Sequence, residues 1–124
     1  MNVFIWGNHS STQYPDTHQT EVKGEPISQE HAEYLNGEFL SLVQKRGSAI
    51  IDVCGKSSSH SAANAICDHM HDWWFGNTSA AVSMGVISNG NAYGVPEDLI
   101  FSFPLDISKE GAWEARDYYT LNEF

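Results

Sequence analysis

Large apolar residues recur at every second position along two segments in the second half of the chain. In segment 82–88 these residues are Val82, Met84 and Val86. In segment 99–107 they are Phe101, Phe103, Leu105 and Ile107. Because successive side chains of a strand point to opposite faces of a sheet, this period of two predicts two half-buried β-strands. Asn89-Gly90 predicts a tight turn after the first of them, and a short strand around Ala92 and Tyr93 is expected to pair back.

A period of three to four residues predicts a helix in the first half of the chain. Its apolar stripe consists of Ala32, Leu35, Phe39, Leu42 and Val43. Ser28 is a suitable N-cap, with Glu30 in the first turn. Gly37 weakens the middle of this helix by about 1 kcal/mol and is expected to bend or divide it. Gly47 is the predicted stop signal, after Lys45 and Arg46, which suit a helix C-terminus.

A second helix is predicted to begin at one of the three serines at 57–59 and to end near Trp74, before Gly76. Its apolar stripe consists of Ala62, Ile66, Met70 and Trp73. Between the two helices, residues 49–53 are apolar and predict either a strand or a packed link.

Near the beginning of the chain, residues 3–6 are four bulky uncharged residues, which predict a buried strand. Gly7 and Asn8 then break this strand, because both tolerate turn conformations. Residues 17–27 are polar and contain Gly24 and Pro26, so a surface loop is expected. The elements together predict one α+β domain, an antiparallel sheet with two main helices packed on it.

Charge and composition exclude several functional classes. Sixteen acidic against six basic residues give a net charge of −10, which argues against binding nucleic acid or an anionic membrane surface. No apolar run approaches 18 residues, so no transmembrane helix is expected, and no secretory signal is visible. The two cysteines, Cys54 and Cys67, fit a reducing compartment, and each is predicted to be a small buried hydrophobe. The arginines are Arg46 and Arg116, few for a chain that would hold a dicarboxylate by itself.

His9 is the first candidate catalytic residue, because it follows the predicted strand at 3–6 directly after the break. A rigid element that ends in a loop is a common setting for catalytic groups, and imidazole can both take and return a proton near neutral pH. A loop histidine without any catalytic task fits the same pattern.

Three other kinds of site find little support. His60, Cys67, His69 and His71 lie close in sequence, but His69 and His71 would point apart on a helix, so no metal site is expected. The glycines at 85, 90 and 94 match neither dinucleotide fingerprint nor P-loop and indicate turns. Ser10 and Ser11 adjoin His9, but no G-x-S-x-G elbow supports a hydrolase nucleophile.

The segment 5–16, IWGNHSSTQYPD, resembles the active-site strand and turn of the cytosolic-type malate dehydrogenase family. The same family resemblance continues in order through residues 37–39, 43–47, 61–63, 65–69, 74–76 and the long block 82–104. The blocks span nearly the whole chain, and a match to all of them in register is not expected by chance.

The resemblance implies the C-terminal substrate domain of a malate/lactate dehydrogenase over residues 1–124. It further implies the NAD-dependent interconversion of malate and oxaloacetate, with His9 as proton acceptor and donor. Gly47 and Ser58 are implied as substrate-binding residues, although Gly47 equally fits a helix stop and Ser58 equally fits an N-cap. A homodimeric cytoplasmic enzyme is implied for the full-length family.

Departures from the family pattern leave a second hypothesis open. The family's NAD-binding domain, its mobile loop with two arginines and its leucine-aspartate-x-x-arginine segment find no match in the chain, nor does its final C-terminal helix. The loop at 16–28 is shorter, and His60 replaces an apolar residue. NAD would therefore be bound mainly by a domain outside these 124 residues. The alternative is a non-catalytic domain remnant that associates with a full-length dehydrogenase.

Overall fold

Two short strands open the chain and form an antiparallel hairpin, β1 (Phe4–Trp6) with β2 (Tyr14–Asp16). The computed structural model describes residues 3–27, 31–117 and 119. Ser28 and Glu30, expected to open the first helix, therefore lie outside the described residues, as do residues 121–124. In β1 Phe4 and Trp6 are buried, which confirms the predicted strand.

After a small hairpin of β3 (Glu21–Val22) and β4 (Glu25–Pro26), the main sheet lies in the second half of the chain. Its strands are β5 (Asn77–Ile87), β6 (Ile100–Ile107) and β7 (Trp113–Ala115). They lie in this order and pair antiparallel throughout. The two predicted strands are confirmed. The pairing shifts register between Asn77 and Val82, which marks an irregularity near the start of β5.

The buried core joins the hairpin to this sheet. It consists of Trp6, Met84, Phe103, Leu105 and Ile107. On the predicted apolar face of β6, Phe103, Leu105 and Ile107 are at most 1% exposed, whereas Phe101 is only partly buried. A bridge between Gly7 and Ser102 and a hydrogen bond from the Ile5 amide to Ser83 Oγ (2.9 Å) fix β1 onto β6 and β5.

The first helical region is interrupted where the sequence predicted. α1 (Ala32–Tyr34) runs into a π-helical segment (Leu35–Phe39) and then into α2 (Leu40–Cys54). Gly37 lies in the π-helical segment, in agreement with the expected division. The predicted stop at Gly47 is wrong, because α2 continues for seven more residues to Cys54. Gly55 ends the helix with a left-handed φ of 69°, and its amide donates to the Ile51 carbonyl.

The second main helix, α3 (His60–Phe75), confirms the other helix prediction and ends at Gly76. A Cβ at Gly76 would lie 2.8 Å from the backbone of Ser108 and Lys109, so this close approach requires glycine. The predicted stripe of α3 is only partly covered, since Ile66 is 63% and Trp73 47% exposed. A cavity of about 340 Å³ lies between His69 and Trp73 of α3 and the sheet.

Several local predictions are corrected by the structure. Residues 49–53 are helical rather than a strand, and no strand forms at Ala92 and Tyr93. There, Asn91 Oδ1 accepts hydrogen bonds from the Tyr93 and Val95 amides, which are then not available to a ladder. The loop at 17–27 contains a small hairpin, β3 (Glu21–Val22) with β4 (Glu25–Pro26).

The cysteine prediction is also wrong. Cys54 and Cys67 are free thiols as expected, but both are exposed. Each lies on a helix whose apolar residues are themselves largely exposed, so neither side chain is covered by another element. Within the part of the chain that the structure describes, no helix is long and apolar enough to cross a bilayer.

Candidate active site

His9 lies in the turn that connects β1 to β2. The turn begins at Gly7, whose φ of 96° is a conformation that favours glycine and whose carbonyl accepts a hydrogen bond from the Ser102 amide. It closes at Gln13, whose amide donates to the Ser10 carbonyl at 3.2 Å. His9 is exposed, and its ring makes no hydrogen bond to the described residues. The imidazole is therefore open to a small molecule in solution.

Short polar side chains stabilise the turn from inside. Ser10 Oγ donates to Asn8 Oδ1 at 3.0 Å, lies 2.7 Å from Thr12 Oγ1 and accepts from the Thr12 amide at 3.1 Å. The Ser10 hydroxyl is thus engaged within its own turn rather than with the His9 ring. This arrangement gives no support to a serine nucleophile activated by His9.

A buried carboxylate anchors the base of the same hairpin. Asp16 is 7% exposed and accepts a hydrogen bond from Trp6 Nε1 at 3.0 Å. Its other oxygen accepts from the His18 amide at 2.9 Å and lies 2.7 Å from His18 Nδ1. A buried carboxylate is stable only when it has such partners. Asp16 therefore ties β1, β2 and the turn after β2 together at the base of the hairpin.

The helix α2 contacts the end of the turn that carries His9. Gln44 Nε2 donates to the backbone carbonyl oxygen of Gln13 at 3.0 Å. Gly47 lies one helical turn after Gln44 on the same side of α2, because residues three apart are neighbours on a helix surface. A Cβ at Gly47 would meet no atom within 4 Å, so the space beside it is open. The structure thus brings the side of α2 that carries Gly47 towards the His9 turn.

Ser58 lies in the link before α3, which begins at one of the three predicted serines, although not at Ser58. The N-cap residue of α3 is Ser59, without a side-chain capping hydrogen bond. Ser58 Oγ instead makes a short hydrogen bond with Ser61 Oγ, its one hydrogen bond among the described residues. No described hydrogen bond joins Ser58 to the His9 turn.

His69 lies on the opposite side of α3 from His71, because the two are two residues apart on the helix. His69 faces Trp73 and His71 faces Phe75, with ring centroids 6.1 and 4.8 Å apart. Among residues 3–27, 31–117 and 119, no three His, Cys, Asp or Glu side chains lie close enough together to hold a metal ion.

Sequence reasoning missed two residues that shape this site, Gln44 and Asp16. Both belonged to blocks that carried the family resemblance, but their residue types have no periodic signal. Their partners are a carbonyl 31 positions away and an indole ten positions away, so only the folded chain reveals them.

High pH is expected to destabilise the fold through Tyr14. Burial, and then the negative charge of Asp16, raise the pKa of Tyr14 above its usual value of 10.0. The contribution of the neutral Tyr14 side chain to the free energy of unfolding is therefore complete below about pH 10. It is lost as the pH rises through the folded-state pKa of Tyr14, because the folded state disfavours tyrosinate. Tyr14→Phe should therefore flatten the fall in the free energy of unfolding above about pH 10, measured by urea titration. Tyr34→Phe, at an exposed tyrosine, is the control, and an equal fall in wild type and Tyr14→Phe would contradict the prediction.

Comparison with known proteins gives this geometry a family. The match to the lactate/malate dehydrogenase, alpha/beta C-terminal domain extends over residues 1–124. The chain belongs to this family. The predicted fold class and the family resemblance are thereby confirmed.

Similar proteins in this family include the cytoplasmic malate dehydrogenases of Homo sapiens, Bos taurus and Zea mays. Their sequences are 50%, 48% and 48% identical to the chain over 130 residues. Each alignment covers 99% of the chain and 39% of the relative. The chain thus spans about two-fifths of the length of the curated relatives that it matches.

Solved structures of the family have the same fold. Malate dehydrogenase from Naegleria fowleri superposes with a TM-score of 0.88 at 41% identity, over 98% of this chain and 37% of that one. Lactate dehydrogenase of Trichomonas vaginalis, in complex with NADH and oxamate, superposes with a TM-score of 0.89 at 27% identity, over 98% of this chain and 39% of that one. The α+β architecture described above is therefore the architecture of this dehydrogenase domain.

Proposed function

We propose that the chain is the C-terminal substrate domain of a malate dehydrogenase, which interconverts malate and oxaloacetate with NAD. The observation that carries this proposal is the exposed His9 ring on a turn fixed at both ends, in a chain 50% identical to a cytoplasmic malate dehydrogenase. A proton-transfer group must be accessible to substrate, and the His9 ring is exposed, on a turn that is fixed at Gly7 and at Gln13.

The chain contributes proton transfer to this reaction. When NAD is bound, it would take the hydrogen at C2 of malate as a hydride, while an imidazole nitrogen of His9 accepts the proton of the C2 hydroxyl and the C2–O bond becomes a carbonyl. In the reverse direction a hydride would return to C2 of oxaloacetate, while the imidazolium of His9 gives its proton to the carbonyl oxygen. Gly47 and Ser58 are proposed as substrate contacts. The open space beside Gly47, on the side of α2 that faces the turn, supports the first of these.

The carboxylates of the substrate need positive groups beyond those of this domain. The guanidinium of Arg116 donates to both oxygens of Asp106, with Nη2 2.6 Å from Oδ1, and to the Tyr119 hydroxyl. The hydrogen bond with Asp106 raises the pKa of Arg116 further, so this guanidinium stays charged and engaged. Arg46 is exposed on α2. We therefore propose that the guanidinium groups that clamp the dicarboxylate lie outside residues 1–124.

The described residues do not fit a dinucleotide site by themselves. Dinucleotide domains bind at the carboxyl ends of parallel strands joined by helices. Every strand pair among the described residues is antiparallel, and none is followed by a glycine-rich loop at a helix start. NAD is therefore proposed to bind mainly to another domain, such as the part of the cytoplasmic malate dehydrogenases that this chain does not cover.

The 124-residue chain alone is expected not to bind NADH. A chimera in which it replaces the matching part of the human cytoplasmic malate dehydrogenase should bind NADH and oxidise it when oxaloacetate is added. Tryptophan fluorescence quenching measures binding, and NADH absorbance measures turnover. Saturable quenching of the isolated chain at micromolar NADH would contradict the assignment of the dinucleotide site, and a folded, NADH-binding chimera without turnover would contradict the proposed function.

The assembled enzyme is proposed to be a cytoplasmic homodimer. The cytoplasmic names of the relatives support the location. Exposed aromatic residues at the end of α3, among them Trp74 at 75% and Phe75 at 59%, support burial against another subunit or domain. The same surface also fits the alternative, a non-catalytic remnant bound to a full-length dehydrogenase, which would leave the chimera inactive.

A further inference from the structure

The side chain of Gln44 connects α2 to the turn that carries His9. Its Nε2 donates to the carbonyl oxygen of Gln13 at 3.0 Å, across 31 positions of sequence. Both residues are half-buried. A partly buried donor and acceptor lose a partner when the turn moves away, so the bond opposes such movement.

Gln13 is the residue at which the turn closes. Its amide donates to the Ser10 carbonyl oxygen within the turn, and its own carbonyl oxygen accepts from Gln44 Nε2 on α2. Gln13 is therefore held both by the turn and by the helix. Asn8, His9 and Thr12 are exposed and have little packing that could fix them. The near end of the turn is fixed separately, through the Gly7 carbonyl and the Ser102 amide of β6.

We propose that Gln44 is a positioning residue for His9, in that it fixes the far end of the His9 turn against α2. Gly47 lies one helical turn further along the same side of α2. The bond therefore ties the turn that carries the proposed acid/base to the helix that carries Gly47, a proposed substrate contact. This inference has a structural half, that Gln44 fixes the turn, and a catalytic half, that the fixed turn positions His9 for proton transfer. The catalytic half rests on the proposed function, whereas the structural half does not.

The structural half is tested on the chain itself by amide hydrogen exchange. In Gln44→Leu and Gln44→Glu the donor is lost, and in the second variant the size of the side chain is kept. Exchange at the Thr12 and Gln13 amides should become about threefold to tenfold faster, the effect of one hydrogen bond. Exchange at Leu105 in the core of β6 should not change. Gln13→Ala is the matched control, because the acceptor is a backbone oxygen that this substitution keeps.

The catalytic half is tested in the chimera with human cytoplasmic malate dehydrogenase. Gln44→Leu and Gln44→Glu should lower kcat about 10- to 100-fold, with the KM for NADH unchanged, since a small displacement of a catalytic group has effects of this size. Unchanged exchange in both variants, or faster exchange with wild-type kcat, overturns the proposal. A wild-type chimera that binds NADH but is inactive overturns the proposed function instead, and the exchange data then decide whether Gln44 fixes the turn.

Discussion

His9→Ala in the chimera is expected to lower kcat for oxaloacetate reduction by about 10²–10⁴-fold, the usual contribution of a general acid/base. Alanine can neither give nor accept the proton at the C2 oxygen. NADH affinity should remain close to wild type, because the dinucleotide is proposed to bind to the other domain. The free energy of unfolding should also change little, since the exposed His9 ring has no hydrogen bond to the described residues.

Other histidine substitutions serve as the controls for this prediction. His9→Asn keeps a polar side chain but cannot titrate in the required range, so it should be as inactive as His9→Ala. His69→Ala and His71→Ala should retain most activity, because these side chains face Trp73 and Phe75 on α3. Steady-state kinetics and NADH titration distinguish the outcomes. Wild-type turnover in His9→Ala, or loss of turnover in His71→Ala alone, would show that the site assignment is wrong.

Leu105→Ala is expected to produce the largest loss of stability, about 2–5 kcal/mol, as in other leucine cores. Leu105 is fully buried on β6 and belongs to the cluster with Trp6, Phe103 and Ile107. Truncation removes apolar contacts and leaves a cavity that the paired strands on both sides of β6 cannot close. Equilibrium urea unfolding of the chain, followed by tryptophan fluorescence, measures the change in the free energy of unfolding.

Leu99→Ala is the matched control, because Leu99 is 45% exposed and lies just before β6. Its truncation should change the free energy of unfolding by less than about 1 kcal/mol. Equal effects of the two substitutions would contradict the assignment of the core to the buried middle of β6. Where Leu105→Ala does not fold, Ile107→Val provides a milder test, with an expected loss of about 0.5–1.5 kcal/mol.

Periodicity and turn residues predicted correctly those helices and strands whose residues favour one backbone conformation. Alternation along β6 identified the strand and the buried face, because one face of that strand is buried and the pleat has a period of two. The same reasoning misplaced the end of α2, since both Gly47 and Gly55 carry a stop signal in the sequence. Glycine in a helix interior costs only about 1 kcal/mol, so the helix passes Gly47 and ends where a left-handed φ is adopted, at Gly55.

Short strands escaped prediction for a related reason. β2, β3, β4 and β7 contain two or three residues each, too few for any period to appear. They exist because a partner strand offers hydrogen bonds, which is a property of the fold. Conversely, Ala92 and Tyr93 were predicted as a strand, but the Asn91 side chain takes up nearby amides and holds a turn.

The sequence by itself determined the α+β class, the two main helices and strands, the family and His9 as the candidate acid/base. These follow from periodicity, turn residues and family blocks that are continuous along the chain. Only the tertiary structure decided how the His9 turn is held, through Asp16 at the base of its hairpin, Ser102 at its start and Gln44 at its end. Such contacts join single polar groups that are distant in sequence, and the partner of each is set by the packing of whole elements rather than by any local preference.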